Sequence, residues 1–140
     1  MINFDTIPTD GDPQQLINSI NHTRRQHDSK TLLAMMEKVS GEKAVLWAGD
    51  VIGFGRYHYT YKTGRQGYWP LISFTPSLQS LMINVMTGFT DYEAQLKNIG
   101  KAKLTENAMI LYTLSDVNRL VLENFLQKVF DDMQAKHNNA

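Results

Sequence analysis

Polar and aromatic residues alternate after Gly55, in a pattern that is typical of a β-strand. One parity carries Tyr57, Tyr59 and Tyr61, and the other parity is charged or polar. Because successive side chains of a strand point to opposite faces of a sheet, one face of this segment is aromatic and the other is polar. We therefore predict an antiparallel strand over residues 55–61, which packs its tyrosines against the rest of the chain and leaves its other face in water.

Further strands are predicted on both sides of residues 55–61. A short strand covers residues 44–47, and an apolar, β-prone run at residues 68–74 follows a turn at residues 63–67. The side chains of residues 78–86 alternate again, and this segment is predicted to be the next strand. Successive strands joined by short turns predict an antiparallel meander.

Two glycines, Gly53 and Gly55, flank Phe54 directly before the tyrosine strand. Glycine inside a strand pattern indicates a bulge or a close approach of the backbone to another group. A phosphate-binding loop is the alternative interpretation. The third glycine of a dinucleotide fingerprint is missing, however, and a strand follows in place of a helix N-terminus. The structural interpretation is therefore favoured.

Two helices are predicted before the strands. Asp12 and Pro13 suit the cap and the first position of a short helix. Asp28 is predicted to cap a longer helix that ends at Gly41 and carries an apolar stripe at helical spacing. The stripe consists of Leu32, Leu33, Met36 and Val39.

Two more helices are predicted in the second half of the chain. One covers residues 91–99, and the other runs from a cap at Ser115 or Asp116 to about residue 134. A short strand at residues 107–112 lies between them. The last helix has a broad apolar face, which indicates either a deeply buried helix or a contact between subunits.

The order of these elements predicts an α+β fold, in which an antiparallel sheet is packed by helices. The 140 residues are enough for one domain with its own core, so residues 1–140 are predicted to form a single domain. Residues 1–11 and 136–140 are expected to be flexible.

The composition narrows the range of partners. The 14 basic residues balance 14 acidic ones, so no general attraction to nucleic acid or to an anionic membrane is predicted. The chain has no cysteine, which excludes disulfides, thiolate metal sites and cysteine nucleophiles. It shows no secretory signal pattern and no apolar run of about 18 residues, so we expect a soluble, cytoplasmic protein.

Several short motifs are similar to those of one protein family. They are Gly53-Phe54-Gly55 with Tyr57-His58-Tyr59, Gly64-Arg65-Gln66-Gly67, Gly100-Lys101-Ala102-Lys103, and Leu114-Ser115-Asp116-Val117. On these residues, the segment 28–126 resembles the YdhG-like family of small bacterial domains of unknown function. The resemblance implies a secretion-chaperone-like fold of order α-β-β-β-α-β-β-α, here with an extra N-terminal helix, that often forms a dimer. It implies no particular reaction.

The chain departs from this family pattern at three positions. Arg56 stands where the family favours a small residue, and Ala102 and Ala108 stand where family members often carry a histidine and a cysteine. Any metal or redox role of that histidine and cysteine is therefore not expected in this chain.

His58 is the one histidine that lies within a strongly patterned segment. It could act as a general base or as a metal ligand. Arg56 and Thr60, its neighbours on the same strand face, are not metal ligands of the usual kind, so a hydrogen-bonded surface histidine is the favoured interpretation. No histidine spacing typical of a zinc site occurs, and we predict neither a metal nor a cofactor.

An aromatic set that includes Trp47 and Tyr59 could stack on a flat ligand, although such residues more often pack against a helix. Lys101 follows Gly100 in a connection and could bind an anion, although exposed lysines are usually only solvated. The candidate ligand-binding residues are therefore Trp47, His58, Tyr59 and Lys101.

Two functions from different classes are consistent with these patterns. The first is a non-enzymatic module, expected to be a homodimer, that holds a small ligand or a peptide with its sheet and its aromatic residues. The second is a metal-handling protein, similar to frataxin, that binds iron with surface carboxylates and His58. An enzyme whose polar groups converge only in the folded chain is a third alternative.

Overall fold

A computed structural model describes residues 7–60, 62–64 and 66–137 and confirms the α+β fold. The helices are Pro13–Ser19 (α1), Thr23–Ser40 (α2), Glu93–Leu96 (α3) and Arg119–His137 (α4), with 3₁₀ turns at Thr90–Tyr92 and Leu114–Asp116. The strands are Val45–Trp47 (β1), Val51–Phe54 (β2), Tyr57–Thr60 (β3), Gln66–Trp69 (β4), Ile72–Pro76 (β5), Leu81–Asn84 (β6), Lys103–Leu104 (β7) and Ala108–Leu111 (β8).

Six strands form one antiparallel sheet in the order β1-β2-β5-β6-β8-β7, and β3 pairs with β4 in a separate hairpin. One face of the sheet carries a row of fully buried side chains that are paired across four neighbouring strands: Ile52, Phe74, Ile83 and Met109. Helices α2 and α4 contact the sheet and contribute to the same hydrophobic cluster. The main core therefore lies between these two helices and the sheet.

The inner part of the apolar face of α4 is buried within the chain. The helix packs against α2, α3 and β5, and none of the six side chains of its inner face is more than 4% exposed. These side chains are Leu122, Phe125, Leu126, Val129, Phe130 and Met133. The inner side of the helix is therefore deeply buried, whereas Leu120, at the edge of the apolar face, is 67% exposed. Among the helices that the structure describes, none combines the length and the hydropathy that a membrane span requires.

The second helix begins earlier than predicted. It starts at Thr23, and the Nδ1 atom of His22 accepts a hydrogen bond of 3.0 Å from the backbone N–H of Arg25. Asp28 is 2% exposed inside the helix, and its Oδ2 accepts a bond of 3.1 Å from the N–H of Leu114. The predicted cap at Asp28 is wrong, because this carboxylate caps a 3₁₀ turn far away in the sequence and not its own helix.

The last helix begins later than predicted. Ser115 and Asp116, the two predicted caps, lie in the 3₁₀ turn before it, and the helix starts at Arg119. The cap is Asn118, whose Oδ1 accepts a hydrogen bond of 3.1 Å from the N–H of Val121. The helix predicted at residues 91–99 is also shorter than predicted, because it consists of a 3₁₀ turn and the four residues of α3.

Pro70 divides the segment that was predicted as one strand. β4 ends at Trp69 and β5 begins at Ile72. Because proline has no N–H to donate to a strand ladder, the chain leaves the hairpin here and enters the large sheet. The single strand predicted over residues 68–74 is therefore wrong. Six strands lie between α2 and α3, where the order implied by the family resemblance has three.

Gly53 lies at a close approach, as the strand pattern predicted. A Cβ atom at this position would lie 2.5 Å from Cγ of Pro70 and 2.7 Å from Nε1 of Trp47. A larger residue would therefore displace the proline ring or the indole. Pro70 rests on β2 through this contact, which holds the returning end of the hairpin against the large sheet.

The two ends of the chain are only partly described. Residues 7–9 lie along β1, where the N–H of Thr9 donates a hydrogen bond of 2.8 Å to the carbonyl of Leu46. Residues 136–137 belong to α4. The first six and the last three residues, which belong to the ends predicted as flexible, lie outside the described residues, as does Tyr61 of the predicted strand.

Tyr92 joins the 3₁₀ turn before α3 to α4. Its ring is 3% exposed, and its hydroxyl donates a hydrogen bond of 2.7 Å to Oδ2 of Asp132. Burial, and then this hydrogen bond, raise the pKa of Tyr92 from 10.0 to about 12. Tyr92 has a higher pKa in the folded chain than in the unfolded chain. Its protonated hydroxyl therefore contributes its full stabilisation of the fold below pH 10, and this stabilisation is lost as the pH rises towards 12.

Tyr92→Phe should reduce the free energy of unfolding by about 1.5–3 kcal/mol at pH 8, because a hydrogen bond to a charged group is lost. The unfolding free energies of Tyr92→Phe and of the unmodified chain should differ by about 1.4 kcal/mol less at pH 11 than at pH 8. At pH 11 the tyrosine of the unfolded chain has already lost its proton. Urea denaturation at both pH values measures this difference. Tyr112→Phe is the control, because Tyr112 is 61% exposed. A difference that is constant from pH 8 to pH 11 would contradict the assignment.

Candidate ligand-binding cleft

A cleft of about 530 Å³ opens at the base of the β3–β4 hairpin. Segments that are distant in the sequence form it: the residues before β1, β1 itself, both ends of the hairpin and the last turn of α4. The lining residues are Pro8, Glu42, Lys43, Val45, Trp47, Gly55, Arg56, Leu71, Gln134 and His137. The volume is within the range of about 300–1,000 Å³ that is common for small-molecule sites.

The two ends of the hairpin meet at one wall of the cleft. Gly55, with a φ of 67°, turns the chain out of β2, and Leu71 brings it back before β5. A Cβ atom added to Gly55 would lie 2.8 Å from Cδ1 of Leu71 and 3.7 Å from Cγ of Glu42. Leu71 and Glu42 therefore both lie beside Gly55 at this wall.

Trp47 lies in the floor of the cleft. Its side chain is 2% exposed and lies on the same sheet face as Val45, opposite to the face that carries Ile52. Its Nε1 has no hydrogen-bond partner among the residues that the structure describes, and Gly53 and Pro70 cover it. The indole therefore belongs to the floor of the cleft, with only a small part of its surface reachable. An unsatisfied buried donor of this kind costs about 1–3 kcal/mol, which the packing of the ring must offset.

Two cations and one carboxylate line the cleft. Lys43, Arg56 and Glu42 are all exposed, and none of them forms an ion pair with another described residue. The guanidinium carbon of Arg56 lies 5.1 Å from the centre of the Tyr68 ring, which is a cation–π contact. The charged groups of the cleft therefore remain available to a ligand.

His137 closes the cleft on the side of α4. Its ring stacks on Tyr57, with 4.2 Å between the ring centres and 23° between the planes. Burial, and then the neighbouring charge of Lys136, lower the pKa of His137 from its ordinary value of 6.5. The imidazole is therefore neutral at pH 7, where it has one donor and one acceptor nitrogen.

The structure places one of the four candidate residues at the cleft. Trp47 lines it, whereas His58, Tyr59 and Lys101 do not. Nε2 of His58 shares a hydrogen bond of 2.8 Å with Oε1 of Gln66 on the facing strand of the hairpin. This is the hydrogen-bonded histidine that the strand pattern favoured.

Tyr59 and Lys101 lie on two other elements. Tyr59 is half-buried and packs against the hydrophobic cluster. Lys101 is exposed before β7, and its N–H donates a hydrogen bond of 2.9 Å to the carbonyl of Asp116. The four candidates therefore do not form a common site.

The polar residues of the cleft could not be found from the sequence. Lys43, Arg56 and His137 come from three separate segments, and only the insertion of the hairpin between β2 and β5 brings them together. Arg56 gave the one signal, because it stands where the resembling family favours a small residue.

A second cavity, of about 310 Å³, lies at the end of the sheet beside Trp69. It is lined by loop residues and by Asn84, whose Nδ2 donates a hydrogen bond of 3.1 Å to Oγ of Ser73. Trp69 is 8% exposed, and its Nε1 has no partner within the described part of the chain. This cavity carries one lining carboxylate, Glu106, and no cation.

Comparison of the chain with protein-family models, with curated proteins and with solved structures found no match. The resemblance to the YdhG-like family therefore stays a prediction. The function of the cleft has to be inferred from its own geometry and charge.

Proposed function

We propose that the protein is a non-enzymatic ligand-binding module that holds a small molecule with a flat apolar part in the cleft beside Trp47. The cleft itself is the observation that carries this proposal. An aromatic ring, an aliphatic side chain and unpaired charged groups line one cavity of about 530 Å³. Small-molecule sites have cavities of this size, and a few polar groups in them fix the orientation of the ligand.

The side chains of the cleft favour binding over catalysis. Nucleophilic catalysis needs a nucleophile with a base within hydrogen-bond reach. The lining side chains include no hydroxyl and no thiol, and among the described residues no hydrogen bond joins His137 to Glu42. His137 instead stacks on Tyr57, a contact that closes the cleft and does not activate a reacting group.

Filling the cleft should abolish binding. Val45→Trp adds an indole beside Trp47 in the cleft, whereas Ile110→Trp adds one on the same sheet face at a position that does not line it. Phenylacetate or 2-phenylethanol at millimolar concentration should raise the melting temperature of the unmodified chain and of Ile110→Trp, because both bind ligand in the folded state. The melting temperature of Val45→Trp should not change.

Differential scanning fluorimetry measures these shifts, and the melting temperature of each variant without ligand shows that it folds. The proposal is contradicted if Val45→Trp is stabilised as much as the unmodified chain. It is contradicted as well if neither compound stabilises the unmodified chain.

The metal-handling alternative has no supporting site in the described part of the chain. Residues 7–60, 62–64 and 66–137 contain no group of three or more His, Cys, Asp or Glu side chains placed to hold a metal ion. His58, which was to supply the nitrogen ligand, is hydrogen-bonded to Gln66. The ligand-binding module is therefore the function that the geometry favours.

Membership of the YdhG-like family, a cytoplasmic location and a homodimer are parts of the same proposal. The family and the homodimer rest on the sequence motifs of the segment 28–126, and the location rests on the lack of a secretory signal pattern and of a long apolar run in the sequence. Light scattering tests the homodimer, and a particle of 16.0 kDa at high concentration would contradict it.

A further inference from the structure

The two cations of the cleft have no partner that would neutralise them. Lys43 reaches the cleft from the connection between α2 and β1, and Arg56 reaches it from the junction of β2 and β3. Within the described chain, neither side chain forms an ion pair or donates a hydrogen bond. An ammonium group has three donors and a guanidinium has five, so many donors remain free at one cavity.

Arg56 is held in position by neighbours on the hairpin. Its guanidinium lies over the ring of Tyr68, and the ring of His58 meets the Tyr68 ring at 5.3 Å and 61°. His58 is in turn fixed by its hydrogen bond to Gln66. A guanidinium that is already oriented loses less conformational entropy when it binds. Its planar fork also matches the two oxygens of a carboxylate.

The remaining titratable groups leave the cleft with a net positive charge at neutral pH. Glu42 is the one carboxylate among the lining residues, and it is not within ion-pair distance of Lys43 or Arg56. Because burial lowers the pKa of His137, the imidazole adds no charge at pH 7. An anion is therefore attracted into the cleft, and a cation is repelled.

We infer that the ligand is a small aromatic carboxylate, whose negative group lies between Lys43 and Arg56 and whose ring lies against the exposed Pro8 and the half-buried Val45. This inference rests on the proposed function and adds the charge of the ligand to it. One net positive charge matches a monoanion, and the accessible apolar side chains of Pro8 and Val45 match its ring.

Three compounds with the same ring and similar chain length separate the effect of charge from that of shape. Phenylacetate is an anion, 2-phenylethanol is neutral and 2-phenylethylamine is a cation. Calorimetry at low salt should show that phenylacetate binds about fivefold more tightly than the alcohol, and that the amine binds most weakly. High salt should weaken the binding of phenylacetate and leave that of the alcohol unchanged, because salt screens exposed charges.

Neutral substitutions test the two cations directly. Arg56→Gln and Lys43→Gln should each weaken phenylacetate binding by about threefold to tenfold and leave 2-phenylethanol binding unchanged. Arg56→Lys should restore part of the loss, because the charge returns without the planar fork. Lys101→Gln is the matched control, since Lys101 is an exposed lysine that does not line the cleft, and it should have no effect.

The outcomes separate this inference from the function on which it rests. Equal affinity for phenylacetate and the alcohol would overturn the inference and leave a ligand-binding cleft. Tighter binding of the amine would overturn it as well, because Glu42 would then determine the charge of the ligand. If none of the three compounds binds, the proposed function itself fails, and the inference fails with it.

Discussion

Gly100→Ala is expected to lower the free energy of unfolding by about 3–5 kcal/mol, through left-handed backbone strain together with a steric clash. Gly100 has a φ of 103°, and a Cβ atom there would lie 2.6 Å from the carbonyl oxygen of Asp116 and 3.1 Å from Cα of Val117. Both neighbours are backbone atoms, which cannot turn aside as the end of a side chain can. The β-bridge between Gly100 and Val117, just before α4, would have to open.

Gly49→Ala is the matched control for this prediction. Gly49 also has a positive φ, of 84°, but a Cβ atom there would meet nothing within 4 Å. The control should therefore cost only the backbone strain, about 1–2 kcal/mol. Urea denaturation gives the free energy of unfolding of both variants, and the difference between them is the cost of the close approach at Gly100. If both variants lose the same free energy of unfolding, the backbone contact with Asp116 has no energetic importance.

Arg25→Met is expected to lower the free energy of unfolding by about 2–6 kcal/mol, because two backbone carbonyls lose their hydrogen-bond donor. Arg25 is 4% exposed, and its Nη1 and Nη2 donate hydrogen bonds of 3.0 Å and 2.9 Å to the carbonyls of Ser77 and Tyr112. These bonds tie α2 to the β5–β6 turn and to the end of β8. Methionine fills similar space but leaves both carbonyls without a donor, each at a cost of about 1–3 kcal/mol.

Arg24→Met provides the control, because Arg24 is the exposed neighbour in the same helix. It should change the stability by less than about 0.5 kcal/mol. The loss of stability in Arg25→Lys should lie between those of the other two variants, since one ammonium group cannot replace both hydrogen bonds of the planar guanidinium. Chemical denaturation measures all three variants, and a loss at Arg25→Met that is no larger than at Arg24→Met would contradict the bridging role.

The sequence predicted those parts of the fold that depend on local patterns. The α+β class, the tyrosine strand and the buried stripe of α4 all follow from periodicity, because each buries one regular face. The sharp stop of α2 at Gly41 follows from local backbone chemistry, since Gly41 adopts a φ of 67°. These features need no knowledge of the rest of the chain.

Other features were missed because they depend on contacts across the chain. Asp28 looks like a helix cap in sequence, but its partner is Leu114, which lies 86 positions away. Pro70 lay inside an apparently continuous strand, and its missing N–H became important only because two different sheets meet there. The cleft is the extreme case, since Lys43, Arg56 and His137 share no pattern and become neighbours only when the hairpin leaves the sheet.

The most direct test of the ligand-binding cleft is a map of backbone and indole N–H chemical shifts during titration of the ¹⁵N-labelled chain with phenylacetate. The account predicts that the largest changes occur at residues 43–47 and 55–56, at the indole of Trp47 and at His137. Largest changes beside the second cavity, at residues 105–108, or no change at saturating phenylacetate, would contradict it.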